Sequence, residues 1–180
     1  LVSSRGLGDV YKRQLYKNAI DFLIENGVEL QVIDAPQIRL EGFAKILDED
    51  MRYDLRSYLF FYGSKNLKVE DISSIIKHNE MDSIERAPYG QGIFKKIIRD
   101  TMSINDFEDL KFELMTKGNE FFDIPMDKYK LDAVLSINNY HAGYAAMAHN
   151  PCLTVPMKVR KNNEPAGLTI IGKSFQEQKL

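Results

Sequence analysis

Hydrophobic and polar residues follow two different periods along the chain, and together they predict an α/β protein. Apolar residues from Leu15 onward fall on one helical face, and Asn26 and Gly27 are expected to end this first helix. Apolar and polar residues then alternate over residues 28–33, which is the period of a half-buried strand. A helix that leads into a strand is the basic unit of an α/β fold.

The longest amphipathic segment predicts a helix from Phe43 to Tyr62, ended by Gly63. Its apolar residues recur every three or four positions, and the opposite face is charged. We therefore expect the apolar face to lie in the core and the charged face to lie in solvent. The positions assigned to the core are Phe43, Ile46 or Leu47, Met51, Leu55, Leu59 and Tyr62.

The middle of the chain predicts several shorter helices separated by loops. They are expected over residues 69–79, 91–102 and from Ser103 or Asn105 to Phe121, with Ser103 and Asp106 as an N-cap signature. Pro125 is expected to lie in a loop after that helix. We therefore expect a helical region between the first α/β unit and the C-terminal part of the chain.

The C-terminal part has the pattern of a sheet. A nearly continuous apolar run over residues 131–137 predicts a strand buried on both faces. A helix of small residues is expected between Asn138 and Pro151, and two further strands are expected over 153–157 and 167–173. Together with the first unit, these elements predict a sheet covered by helices.

The last seven residues start a helix that they do not complete. Ser174 and Glu177 form a capping box, which predicts a helix from Ser174 onward, but the chain stops at Leu180. A helix of this length is marginal because its nucleation is costly. We therefore expect the chain to be cut at this end.

Composition excludes several classes of protein. With 44% apolar residues, 28% charged residues and a formal net charge of −2, the chain is unlike a disordered polymer. The small net charge argues against nucleic acid or an anionic membrane as the main partner. The single cysteine, Cys152, excludes an intramolecular disulfide.

The first fourteen residues have the features of a foreign segment. The string SRGLGDVYKRQ, from Ser4 to Gln14, resembles the translation of a transposase end adapter used in preparing sequencing libraries. A natural turn followed by a basic patch is the alternative. Residues 1–14 hold three basic side chains and one acidic one, so the other 166 residues carry 21 basic and 25 acidic groups. Their net charge is then −4.

The motifs of the remaining chain resemble those of the amidase signature hydrolases. The order of a buried strand, an Ala-rich helix, LTVPM, EPAGL and IIGK over residues 131–180 is similar to the C-terminal end of that family. LYKNAIDFLIENGVELQVID resembles the unit after the family's catalytic core. DLRSYL, VEDISSIIKHN and YGQGIF are similar to the peptide-amidase-like branch.

This resemblance covers residues 15–180 and implies a fold. The chain is expected to be α/β, the incomplete C-terminal part of a mixed-sheet α/β/α amidase signature fold with a helical middle insertion. Residues 15–180 then form the C-terminal part of one amidase domain that is truncated at both ends, and residues 1–14 stay outside it.

The resemblance also implies a chemistry. Such enzymes hydrolyse carboxamide C–N bonds through a serine acyl-enzyme, assisted by a bridging serine and a lysine. The Gly-Ser loop that carries these serines is not found, because the Ser-Ser pairs are Ser3–Ser4 and Ser73–Ser74. Ser74 and Lys77 lie one helical turn apart and are interpreted as a solvated helix face. No catalytic residue is assigned, and the isolated chain is expected to be inactive.

Asn139 and Tyr140 are the candidate substrate-binding residues. They follow a strand predicted to be buried, and ligands of open α/β sheets gather at the carboxyl ends of strands. In the resembling family this loop lies near the acyl pocket. An asparagine-capped strand exit without a binding role is the alternative.

His141, His149 and Cys152 lie close enough in sequence to be considered as metal ligands. Their spacing matches no standard zinc pattern, and hydrogen bonding within the fold is the interpretation that we prefer. YGQG, from Tyr89 to Gly92, is not part of a phosphate-binding pattern. We expect no metal and no cofactor.

Two alternative functions are left open by the sequence. The chain could come from the amide-transferring subunit of a tRNA-dependent amidotransferase, or it could be a non-enzymatic helical interaction module with an amidase-like tail. For the amidase, the expected partner is a small-molecule or peptide carboxamide, with no nucleic acid and no membrane. A cytoplasmic location is expected, and the particular amide and the oligomeric state are not determined.

Overall fold

The computed structural model describes residues 10–159 and 163–180, with side chains from Arg13 onward, and it contains two compact units. The first unit combines the chain up to Glu41 with residues Glu113–Leu180, and the second is Gly42–Phe112. Residues 1–9 of the predicted adapter segment lie outside the described part, and residues 10–14 start the first helix. The foreign origin of residues 1–14 stays a prediction.

Helices and strands follow the predicted order except over residues 28–33 and after Ser174. The elements are α1 Val10–Glu25, α2 Phe43–Tyr62, α3 Ile72–Glu80, α4 Ser83–Arg86, α5 Gly92–Arg99, α6 Ile104–Tyr129, β1 Val134–Ile137, α7 Ala142–Met147, β2 Cys152–Val159, β3 Pro165–Ile171 and a 3-10 turn Glu177–Lys179. Within the described residues, no helix is both long enough and apolar enough to cross a membrane.

In the first unit the three strands form an antiparallel sheet in the order β1-β3-β2. All four residues of β1 are buried, which confirms the prediction of a strand covered on both faces. Alternate residues of β1 pack on opposite sides, Val134 against Phe122 of α6 and Leu135 against Tyr16 of α1. The sheet therefore lies between α1 on one face and α6 with α7 on the other.

The predicted strand over residues 28–33 is wrong. The structure has neither helix nor strand over residues 28–40. Val28 and Val32 are exposed, whereas Ile33 is buried with Phe122, so the residues that make contact do not alternate. An alternating pattern needs a neighbouring strand for its hydrogen bonds, and none pairs with this segment among the described residues.

Two predicted boundaries near the C-terminal part are also wrong. Pro125 does not break the chain but lies inside α6, where the buried Phe122 and Met126 on either side hold the helix in place. Ser174 does not cap a helix. Its hydroxyl donates to the carbonyl oxygens of Ala148, at 3.0 Å, and His149, at 2.7 Å, so only a 3-10 turn follows.

In the second unit, helix α2 has the predicted length, but only part of its predicted core face is buried. Ile46 is fully buried, as one of the two predicted alternatives, whereas Met51 and Tyr62, which were also assigned to the core, are exposed, as is Leu47. Glu49, on the predicted charged face, is fully buried. The expectation of a solvated charged face is therefore wrong for Glu49. The apolar core of this unit is formed by Ile72, Ile76 and Ile97, with Leu55 and Phe94 packed against it.

The buried carboxylate of Glu49 is stabilised by three donors. Lys45 Nζ lies 3.0 Å from it, Arg52 Nη2 donates to it, and the backbone N–H of Met102 donates over 3.2 Å. A carboxylate without such partners would be too costly to bury. This ion cluster, Lys45–Glu49–Arg52, ties α2 to the segment that leads into α6.

Helix α3 begins with a capping box. Asp71 Oδ1 accepts the N–H of Ser74 at 2.8 Å, and Ser74 Oγ accepts the N–H of Asp71 at 2.9 Å. These bonds to Ser74 hold the pKa of Asp71 below its ordinary value. The Ser74 hydroxyl therefore serves the start of a helix, and this replaces the interpretation of Ser74 as a solvated surface residue.

We expect Asp71→Ala to destabilise α3 by about 1 kcal/mol, because the first turn loses the acceptor of an otherwise unsatisfied N–H. Since the folded pKa is lowered, the charged contribution is present above the unfolded pKa of about 4 and is lost as pH falls through the folded pKa. Hydrogen exchange of residues 72–80 between pH 7 and pH 3 measures both effects. Asp71→Asn is the control, since it keeps the cap and loses the pH dependence; equal exchange in all three proteins would contradict this account.

Candidate active-site cavity

A cavity of about 680 Å³ opens on the sheet of the first unit. Its walls come from all three strands and from the loop before α7, including Ser136 of β1, Thr154 of β2 and Thr169 of β3. None of the residues that line it in the described part of the chain carries a formal charge. The cavity therefore offers hydrogen bonds and apolar contact but no ion pair.

A row of hydroxyl groups crosses the sheet at this cavity. Ser136 lies opposite Thr169 in the β1–β3 ladder, and Thr154 lies opposite Thr169 in the β2–β3 ladder. Thr169 Oγ1 donates to the carbonyl of Asn138 at 2.5 Å. Because its one proton is used there, the 2.8 Å contact between the two threonines has Thr154 as donor. The orientation of both hydroxyls is thereby fixed.

Ser136 and His141 form a buried pair beside this row. Ser136 Oγ lies 2.8 Å from His141 Nδ1, and both residues are buried. The His141 ring also lies 5.4 Å from the ring of Phe121 on α6. His141 therefore hydrogen-bonds within the fold, in agreement with the interpretation from the sequence. Among the described residues there is no group of three side chains suited to hold a metal ion.

Two hydrogen bonds between Asn138 and Gly167 fix the backbone where β1 ends. Asn138 has a φ of 51°, its N–H donates to the Gly167 carbonyl at 2.8 Å, and its Oδ1 accepts the Gly167 N–H at 2.8 Å. A Cβ on Gly167 would lie 2.7 Å from Thr154 Cγ2. Gly167 therefore serves two purposes. Its backbone holds Asn138 at the end of β1, and its missing side chain leaves room for Thr154 of the hydroxyl row.

The two predicted substrate-binding residues differ in position. Asn139 lines the cavity, whereas Tyr140 is partly exposed and is not among the described lining residues. Ser136, Thr154 and Thr169 were not predicted from the sequence as site residues. Each is a lone polar residue in the middle of an apolar strand, and that pattern is the signal that could have found them.

Comparisons with known proteins identify solved structures with a similar fold. No protein-family model matches the chain, and no curated protein matches it. Among solved structures, an amidase family protein from Bacillus anthracis str. Ames has 24% identity and a TM-score of 0.86, over 96% of this chain and 34% of that one. The native peptide amidase from Stenotrophomonas maltophilia has 19% identity and a TM-score of 0.78, over 98% of this chain and 38% of that one.

A third structure agrees with these two. The peptide amidase PAM, in complex with the competitive inhibitor chymostatin, has 18% identity and a TM-score of 0.75, over 93% of this chain and 38% of that one. The chain therefore has the fold of part of an amidase, and it spans between a third and two fifths of the length of these structures. The predicted fold class, an incomplete α/β amidase fold, is confirmed.

Proposed function

We propose that the chain is part of an amidase that hydrolyses carboxamide C–N bonds through a serine acyl-enzyme. The observation that carries this proposal is the match of 96% of the chain to an amidase family protein with a TM-score of 0.86. The nucleophile, its bridging serine and its lysine belong to the part of the enzyme outside this chain. The chain supplies a wall of the substrate site.

Ser136 is a poor candidate for the nucleophile, although it is paired with His141. A serine–histidine pair is the start of a hydrolytic triad, but a nucleophile must also reach the carbonyl carbon and have oxyanion donors beside it. Ser136 lies within β1, is buried, and faces Thr169 across the ladder. We assign the pair a positioning role, in which it holds the loop before α7 against β1.

The cavity is suited to bind an uncharged group of the substrate. A carboxylate or ammonium placed there would lose its hydration without gaining an ion pair, because the described lining residues are neutral. The Asn139 amide offers both a donor and an acceptor, and Ala142, Pro156 and Ile171 offer apolar contact. The acyl part of a neutral carboxamide has this combination of polar and apolar surface.

Ammonia release from a panel of primary carboxamides tests the proposal in two proteins. The first is residues 1–180 alone, and the second is the complete protein expressed from the extended reading frame of the source DNA. The complete protein is expected to release ammonia, and the chain alone is not. Amide hydrolysis by the chain alone, lost on Ser136→Ala, would overturn the assignment of the nucleophile to the missing part.

In the complete protein, Asn139→Ala is expected to lower kcat/KM for a neutral amide by about tenfold, the effect of one lost hydrogen bond of about 1.4 kcal/mol. Tyr140→Phe measures the second predicted contact in the same assay. Asn119→Ala, an exposed asparagine of the same unit on α6, is the matched control and should have no effect. Unchanged kcat/KM in both site variants would remove Asn139 and Tyr140 from the substrate site.

A further inference from the structure

Helix α2 carries an exposed stripe of large apolar side chains along its whole length. At 100° per residue, its members lie within about 100° of the helix circumference, so they share one side of the helix. Each is between 42% and 77% exposed. The members of this apolar stripe are Leu47, Met51, Tyr58, Phe61 and Tyr62.

The side chains of the stripe are exposed, whereas other residues of α2 pack in the second unit. Glu49 lies on the opposite side of the helix and is fully buried. The fully buried Ile46 and the core-packed Leu55 flank the stripe on its two edges. The helix therefore has two faces that are unsuited to water, and only one is covered by the described residues. The three aromatic rings of the stripe alone expose roughly 300–500 Å², as much as the largest apolar patch of an ordinary monomer. An amphipathic helix with such a face is typical of an interface.

A second copy of the chain is a poor partner for this stripe because of Asp54. Asp54 is exposed, lies on the same side of α2, and stands seven residues from both Leu47 and Phe61. If two copies packed their stripes antiparallel about a twofold axis, the two Asp54 carboxylates would meet at the axis. Like charges removed from water at the centre of an interface oppose association.

We propose that the apolar stripe of α2 is the docking surface for the part of the polypeptide that lies outside these 180 residues. The chain spans only 34% of the length of the amidase family protein that it matches over 96% of its own residues, so most of such a fold is available to cover the stripe. The covering surface is apolar and offers Asp54 a basic side chain or backbone N–H groups. This inference rests on the proposed function in taking the chain as part of a longer amidase.

Covalent footprinting of aromatic side chains compares the chain alone with the complete protein. Tyr58, Phe61 and Tyr62 are expected to label at least about fivefold less in the complete protein, because covered residues keep less than a tenth of their surface. Tyr89, fully exposed in the same unit and outside the stripe, is the control and should label equally. Equal labelling of the stripe in a monomeric complete protein would overturn the proposal, as would protection that appears only as dimers form.

A charge substitution gives effects of opposite sign in the two proteins. Phe61→Lys should raise the soluble fraction of the chain alone, since it shortens an exposed apolar surface, and should lower the Tm of the complete protein, since it buries a charge. Tyr89→Lys is the matched control, expected to change neither. An unchanged Tm for Phe61→Lys would overturn the proposal. Amide hydrolysis is measured on the same samples. If the stripe is protected but the complete protein is inactive, the proposed function is rejected and the docking surface is still supported.

Discussion

Replacing Glu49 with Gln should lower the free energy of unfolding of the second unit by about 3 kcal/mol, the usual cost of removing one partner from a buried ion pair. Lys45 and Arg52 both point at this carboxylate, and glutamine leaves two cations without a counter-charge. The amide oxygen of glutamine can still accept the N–H of Met102, so the effect isolates the lost charge. Urea unfolding of the 180-residue chain, with hydrogen exchange of α2 and α5, measures it.

The control for this variant is Asp54→Asn on the same helix. Asp54 is exposed, so the substitution should change stability by no more than about 0.5 kcal/mol. Exchange in β1 and β3, which belong to the other unit, should be unaffected by Glu49→Gln. Equal stability of the Glu49 and Asp54 variants would show that the ion cluster does not hold the second unit together.

Substitution of Gly118 is expected to have the second large effect on stability. The sign of the change in unfolding free energy distinguishes helix propensity from packing. A Cβ at this position would lie 2.8 Å from the Ala148 nitrogen, 2.9 Å from Met147 Cβ and 3.0 Å from the Tyr144 carbonyl oxygen. Two of these are backbone atoms that cannot rotate away, so α6 and α7 must separate. Helix propensity alone predicts that Gly118→Ala stabilises α6 by about 1 kcal/mol. We expect the close approach to win, with a net loss of about 1–2 kcal/mol.

Gly118→Val should cost more, about 3 kcal/mol, because its two methyl groups meet the same backbone. Separation of the helices also disturbs the stack of Phe121 on Tyr144, whose ring centroids lie 4.0 Å apart. Gly92→Ala is the matched control, since no atom lies within 4 Å of the new methyl group. Urea unfolding of the three variants decides the matter, and a stabilised Gly118→Ala would contradict the packing described for α6 and α7.

The C-terminal sheet could be predicted from the sequence because its signals are local. The apolar run of β1 is buried on both faces in the structure, and the alternation from Leu153 becomes β2. Similarly, the length of α2 followed from its period and from Gly63. These features depend on residues close in sequence, where periodicity and turn chemistry are informative.

The features that could not be predicted depend on distant partners. Residues 28–33 have the period of a strand, but no strand pairs with them in the described chain. Pro125 stays helical because Phe122 and Met126 pack in the core around it. Glu49 is buried because three donors converge on it, one of them the backbone of Met102. None of these contacts is encoded by local spacing.

Only some of the residues that line the cavity could be predicted, because the others are brought together by distant parts of the sequence. Asn139 was found because it follows a buried strand, which is a local signal. The row of Ser136, Thr154 and Thr169 depends on the registers of two ladders, and Ser136 and Thr169 are 33 positions apart in the sequence. Polar residues in apolar strands mark such rows, but they do not specify which residues will be neighbours.

Active-site labelling with an aryl fluorophosphonate tests most directly whether this chain is the non-nucleophilic part of a serine amidase. The complete protein is expected to take up one label, on a serine outside residues 1–180, and the isolated chain is expected to take up none. Peptide mapping by mass spectrometry locates the label. Modification of Ser136, abolished by Ser136→Ala and accompanied by amide hydrolysis, would contradict the account and make the Ser136–His141 pair the catalytic centre.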